Sequence, residues 1–340
     1  MSENEMTNKE DSKENSALTP DTYQSDIKKI KNFKEGVHIK KLILGILLGI
    51  LAIAFVSLAG LVFSLYKFGL ENELTNKIIK FIPLPAAVVN FEPISLKEYK
   101  EDLETLNRFY NNQKNISLDF QIPELSEMKK NVLERLVRNK LAYQIATKRY
   151  KLKISDEEIE AEFQKIVQED ESQEQIEKVL NEIYGWDSKK FKEKVLKPFL
   201  VQQKLQEAIS NDEKLNAGVR EKAEEILKEV REKKDSFENL AKKYSEDLSA
   251  KEGGDLGYFG RGVMVKEFEE VAFSLNPGEI SDLVKTRYGY HIIKVDEVLK
   301  DSKGEIQQIH AKHILIKTKA LDEFLNEELK KARVWKLIKV

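Results

Sequence analysis

Twenty-five consecutive residues, Leu42 to Tyr66, carry no charge. About 20 apolar residues suffice for a helix to cross a bilayer, whereas a secretory signal has a shorter apolar run of about 7–15 residues behind a brief basic start. Here about 40 residues precede the run. The sequence therefore predicts an uncleaved transmembrane helix over residues 40–67. A cleaved signal is the alternative, with Ser57-Leu58-Ala59-Gly60 as its small-residue site. Lys28, Lys29, Lys31, Lys34, Lys40 and Lys41 crowd the N-terminal flank, and Lys67, Glu71 and Glu73 follow the run. Lysine excess marks the cytoplasmic side, so the expectation is a single-pass protein of the cell membrane with its N-terminus inside and its bulk outside.

Charged residues make up 34% of the 340, yet the net charge is only -2. That balance gives no electrostatic basis for a nucleic-acid partner. The chain has no cysteine, which excludes disulfides, thiolate metal sites, thiol nucleophiles and a lipid-modified cysteine anchor. Residues 1–39 are rich in Glu, Asp, Lys, Ser, Thr and Asn. They hold too few large apolar groups to form a core, and are expected to be a disordered cytoplasmic segment. Residues 68–85 read as a linker, and the Phe81-Ile82-Pro83-Leu84-Pro85 segment as extended, because each proline disfavours helix at the residue before it.

From residue 86 the pattern changes. Ala86-Ala87-Val88-Val89-Asn90 is a short strand candidate, and Ser95 with Glu98 has capping-box spacing for a helix. Val132, Leu133, Leu136, Val137, Leu141 and Ile145 recur at helical spacing. Ser155 with Glu158 repeats the capping box ahead of Ile159, Phe163 and Ile166, and Phe191, Val195, Phe199, Leu200 and Leu205 mark another helix. Residues 86–215 thus read as a helical domain with one strand at its start.

Residues 216–317 differ again. Val219, Ala223, Ile226, Leu227 and Val230 form an amphipathic helix, and Phe237 to Tyr244 a second. Gly253-Gly254 signals a turn, Leu256 to Phe259 a strand, Lys266 to Phe273 a short helix, and Asn276-Pro277-Gly278-Glu279 a type II turn. Ile280 to Val284 and Tyr290 to Val295 read as strands joined by Thr286-Arg287-Tyr288-Gly289. The fold class expected is α+β: a domain with a small antiparallel sheet, beside the helical domain and the transmembrane helix.

Taken singly, these signals are bland. Met264 and Phe268 at i and i+4 read as core, His291 as a buried histidine in an apolar strand, and Asp247 as a turn cap. Together, Phe237-x-x-Leu240-Ala241-x-x-Tyr244-Ser245-x-Asp247, Gly253-Gly254-Asp255-Leu256-Gly257-Tyr258-Phe259 and Gly289-Tyr290-His291-Ile292-Ile293 resemble the parvulin, or PpiC-like, family of peptidyl-prolyl isomerases. The resemblance implies a catalytic polar cluster of Asp247, Thr286, His291 and His313, and a proline pocket of Leu256, Met264, Phe268 and Tyr288. Tyr288 stands where bacterial relatives usually carry Phe. X-Pro rotation breaks no bond, but its amide barrier of about 18–20 kcal/mol makes it slow enough to limit folding. No metal or cofactor is expected: His310 and His313, three apart in a strand candidate, should face opposite ways.

Parvulins normally begin with a strand carrying the second histidine. Here the matching string, His310-Ala311-Lys312-His313-Ile314-Leu315-Ile316-Lys317, follows the block. Three explanations stay open: a permuted first strand over 309–317, linked through Asp296 to about Gln308; a relic of a second repeat; or a strand exchanged between two chains, which would make a homodimer. Ala87-Val88-Val89-Asn90-Phe91-Glu92-Pro93-Ile94-Ser95, Leu136-x-x-Asn139-Lys140-Leu141, Lys153 to Glu158 and Gly185-Trp186 are similar to the chaperone domain of the SurA and PrsA foldases. Residues 318–340, a helical stripe then an alternating segment from Arg333 to Lys339, would complete that domain by pairing with the Ala87 strand. The resemblances imply an extracytoplasmic, membrane-anchored isomerase and chaperone acting on unfolded or exported polypeptides that contain X-Pro bonds. A holdase using the isomerase fold only to bind peptides, and a membrane scaffold, are the alternatives.

Overall fold

The computed structural model describes residues 44–67, 73–116, 119–169 and 172–340. The reading of 1–39 lies outside them. The chain divides into two compact units between Thr75 and Asn76. The first contains α1 (Leu44–Lys67), 24 residues with a mean hydropathy of 2.8, the one described helix long and apolar enough to cross a membrane. Helix α2 (Glu73–Phe81) occupies part of the 68–85 stretch expected to be a linker, ahead of the proline-bearing segment.

Beyond it, β1 (Pro85–Val89) and β2 (Glu92–Ser95) form a hairpin. Its turn places Asn90 and Phe91 at φ 47° and 68°, a conformation costly for a bulky residue. Helices α3 (Leu96–Ile116), α4 (Leu125–Gln144), α5 (Asp156–Glu169), α6 (Gln173–Tyr184), α7 (Ser188–Phe191) and α8 (Lys197–Ser210) follow. Helix α4 buries Met128, Val132, Leu133, Leu136, Val137 and Leu141, the stripe legible in the sequence. The Ser155–Glu158 box forms in both directions, Ser155 N to Glu158 Oε2 at 3.0 Å and Glu158 N to Ser155 Oγ at 3.2 Å. The box expected at Ser95 takes another course: Ser95 Oγ accepts from Lys97 N, and Glu98 accepts from Lys194 Nζ. A nearby ammonium makes a stronger partner for the carboxylate than a backbone amide does.

A second sheet has the order β3-β6-β5-β4. Its strands are β3 (Asp255–Phe259), β4 (Val284–Thr286), β5 (Gly289–Lys300) and β6 (Ile306–Lys317), each antiparallel to its neighbours. Strand β6 sits inside the sheet. Alternation along β5 and β6 sends Ile292, Ile314 and Ile316 to one face, against α9 (Val219–Arg231) and α10 (Phe237–Tyr244). Ile293, Val295, Ile309 and Ala311 go to the other, against α11 (Lys266–Ala272). Full burial of each large side chain stabilises by roughly 1.5–3 kcal/mol.

Two boundaries need correction. Ile280 makes only an isolated bridge to Lys294, and the strand expected over 280–284 begins at Val284 and ends at Thr286. The connection expected from Asp296 to Gln308 is mostly strand: β5 runs to Lys300 and β6 starts at Ile306, leaving a short turn that Asp301 closes by accepting from Lys303 N and Glu305 N. The polar residues Glu297 and Gln308 hid that extension, because the far ends of β5 and β6 are less buried and lose the apolar alternation. The chain ends with α12 (Leu321–Lys331) and β7 (Val334–Lys336), which pairs antiparallel with β1 to complete the order β2-β1-β7.

Candidate active site

Strand register brings the two histidines together. His291 on β5 pairs with Leu315, and His313 on β6 pairs with Ile293, so the histidines are diagonal neighbours on one face. Their Nδ1 atoms lie 3.1 Å apart and their rings stack with centroids at 5.3 Å. His313 Nε2 is 2.8 Å from Asp247 Oδ2, and His291 Nε2 is 2.9 Å from Thr286 Oγ1. Thr286 Oγ1 in turn accepts from Tyr288 N at 3.1 Å. Asp247, His313, His291 and Thr286 thus make one chain of hydrogen bonds across three elements and a turn.

The chain has a self-consistent direction. With Asp247 ionised, His313 donates from Nε2 and, when neutral, keeps Nδ1 bare. His291 then donates from Nδ1 and keeps Nε2 bare to accept from the Thr286 hydroxyl. Burial, reinforced by the neighbouring His313, drives the His291 imidazole down to about 3. Burial would raise the Asp247 carboxyl, but the His313 hydrogen bond and charge, with Ser245 and Ser249 hydroxyls, outweigh it and hold the group well below the ordinary carboxylate range. Ser245 Oγ donates to Asp247 Oδ1 at 2.9 Å and Ser249 Oγ to Oδ2 at 2.9 Å. Burial also lowers the Lys285 ammonium to about 8.

A cavity of about 610 Å³ opens in front of the histidines. Leu256, Met264, Phe268 and Tyr288 all line it, together with His291 and His313. Phe268 is 2% exposed and stands edge-on to both imidazoles, at 5.3 Å and 5.7 Å between centroids. Asp247 and Thr286 sit behind the rings rather than on the cavity wall. His310 lies on the opposite face of β6, stacked on Tyr258 with Nε2 2.8 Å from Asp255 Oδ1.

Two groups of residues escaped the sequence reading. Ser245 and Ser249 flank Asp247 at two-residue spacing, a signal that was available. Gln203 and Glu207 of α8, and Arg287 of the β4–β5 loop, also line the cavity. Nothing local in the sequence points to the α8 pair, since they reach the site only through tertiary packing.

Two family models match the chain. The SurA-like N-terminal domain covers residues 30–206, and the PPIC-type PPIASE domain covers 201–297. Both claim residues 201–206 of α8, and the second stops before β6. The foldase protein PrsA of Geobacillus kaustophilus is 40% identical over 195 residues, 54% of this chain and 69% of the relative. The foldase protein PrsA of Caldanaerobacter subterraneus is 35% identical over 267 residues, 74% of this chain and 86% of the relative. A crystal structure of the peptidylprolyl isomerase PrsA from Bacillus anthracis is 29% identical and covers 58% of this chain and 86% of that one, at a TM-score of 0.22. The chain belongs to the PrsA foldase family and is a peptidyl-prolyl isomerase.

Proposed function

We propose that Leu256, Met264, Phe268 and Tyr288 hold the proline ring of a client, and that Asp247, His313, His291 and Thr286 form the polar support behind it. One observation carries this reading: the four apolar or aromatic residues and both histidines share one cavity wall. The planar amide is the more dipolar form and the twisted transition state the less dipolar one. A cleft walled by Leu256, Met264 and Phe268 disfavours the planar form and so lowers the barrier. The hydrogen-bonded chain from Asp247 to Thr286 serves this by fixing the floor of the cleft beneath the proline. No nucleophile, metal or redox step enters, because no covalent bond changes.

The clients are unfolded or exported polypeptides with X-Pro bonds. Residues 216–317 act as the isomerase unit, with 309–317 as its displaced strand, and 86–215 completed by 318–340 as the chaperone unit. The β1–β7 pairing supports that closure. Helix α1 anchors the protein, with the lysine-rich flank on the cytoplasmic side.

The test is proline isomerisation in an X-Pro tetrapeptide by the full chain in detergent, for wild type, Met264→Ala and Thr286→Val. The expected result is a fall in kcat/KM of roughly tenfold for Met264→Ala, equal to about 1.4 kcal/mol of transition-state contact. Wild-type chain that suppresses client aggregation but leaves isomerisation at the uncatalysed rate would refute the assignment and establish a holdase.

A further inference from the structure

Helix α8 packs into the helical body through Leu200, Val201 and Leu205, all buried, yet two other faces reach the isomerase cleft. Gln203 and Glu207, one turn apart, stand on the cleft wall. Gln206 and Ser210, also one turn apart, hold the loop that joins β4 to β5. The Gln206 amide joins two segments through three hydrogen bonds. Its Nε2 donates to Arg287 O at 3.0 Å and to Lys319 O at 3.2 Å, and its Oε1 accepts from Leu321 N at 2.6 Å. Ser210 Oγ donates to Thr286 O at 3.1 Å and accepts from Thr318 Oγ1 at 2.9 Å. Ser210, Thr286 and Thr318 are buried, so these bonds are shielded from water.

Arg287 lies between Thr286, whose hydroxyl ends the histidine chain, and Tyr288, which faces the cavity. We infer that Gln206 is a positioning residue for isomerisation: by gripping the Arg287 carbonyl it sets where Thr286 and Tyr288 stand, and ties that setting to the helical body. The inference rests on the roles proposed above for those two residues. The chemistry of the contact explains the residue type. Two carbonyl oxygens need donors and one backbone N–H needs an acceptor, and a primary amide supplies both kinds at one point. Glutamate at this position keeps the acceptor but turns an anion toward two carbonyl oxygens. Leucine keeps neither. A misplacement of about 1 Å at a reacting centre costs up to about 100-fold in rate, so a partial release of the loop should cost less but be measurable.

The experiment uses the full chain in detergent with Gln206→Glu, Gln206→Leu and Thr286→Val. It reads kcat/KM on an X-Pro tetrapeptide, suppression of aggregation of a denatured client, and the imidazole nitrogen resonances of His291. Both Gln206 variants should lower kcat/KM about 3–10-fold, shift the His291 Nε2 resonance in the direction seen for Thr286→Val, and leave aggregation suppression within about twofold. Gln206 variants that keep kcat/KM within about twofold while Thr286→Val loses it would overturn the inference and leave the proposed site standing. If Thr286→Val is also without effect, the site assignment itself fails and the inference with it. If the Gln206 variants lose catalysis and aggregation suppression in parallel, the residue is merely structural and the inference is overturned.

Discussion

Gly254 lies against the backbone of His313 so closely that a Cβ on the glycine would stand 2.2 Å from the His313 carbonyl oxygen. The same pair is bonded in the other direction, His313 N donating to Gly254 O at 2.8 Å. Gly254 has φ +80°, and an L side chain in the left-handed region costs roughly 1–2 kcal/mol before any overlap. Gly254→Ala should therefore destabilise the sheet by more than that, read as a lower midpoint in urea, and should displace His313. A variant with an unchanged midpoint and unchanged kcat/KM would show that the contact is not this close.

Acid should weaken the fold through His291. Its folded-state value is about 3, against an ordinary 6.5. Between these values the unfolded chain binds a proton that the folded chain does not. Stability is thus fully present above about 6.5 and falls as the pH drops toward 3, with a slope approaching 1.4 kcal/mol per pH unit from this residue. Asp247, held below its ordinary range, adds a further loss only below about 4. Urea unfolding at pH 7, 5.5 and 4.5 should show a steeper decline in wild type than in His291→Phe. Equal slopes would remove His291 as the acid-sensitive group.

Thr286→Val removes the hydrogen that His291 Nε2 accepts and the oxygen that Tyr288 N donates to. Leaving a buried polar group unsatisfied costs about 1–3 kcal/mol. The expected outcome is a loss of that size in thermal or urea unfolding. Thr286→Ser keeps both bonds and should retain most of the stability.

Ending the chain at Gly304 deletes β6 from the middle of the sheet, and with it the buried Ile309, Ile314, Leu315 and Ile316. At about 1.5–3 kcal/mol for each, the loss approaches the whole stability of a domain. The truncated chain should show no cooperative transition for this unit and no isomerisation. A chain ending at Lys317 should keep the cooperative transition of this unit. Equal folding of the two forms would contradict the central placement of β6.

Much of this protein is legible from short-range patterns. The uncharged run from Leu42 to Tyr66, the α4 stripe and the Ser155–Glu158 box are local signals, since each rests on residues within a few turns of one another. The consecutive apolar residues Ile292-Ile293 and Ile314-Leu315-Ile316 are likewise the pattern of strands buried on both faces. The family motifs named Leu256, Met264, Phe268, His291 and His313, but left open whether the strand carrying His313 joins its own sheet, is a repeat relic or is exchanged between chains. The meeting of the two histidines depends on register: a slip of one residue between β5 and β6 would send His313 to the opposite face, away from His291. The same dependence on distant packing hid Gln203, Gln206 and Glu207, whose partners lie about 80 or more residues away or across the cleft. Sequence determined most of the elements, their apolar faces and the family, but not α2 or the bounds of β4, β5 and β6. Tertiary structure decided that a late strand enters the middle of an earlier sheet, where Gly254 and Gly289 leave room for its backbone: a Cβ on Gly254 would fall 2.2 Å from His313 O and one on Gly289 2.1 Å from Ile316 O.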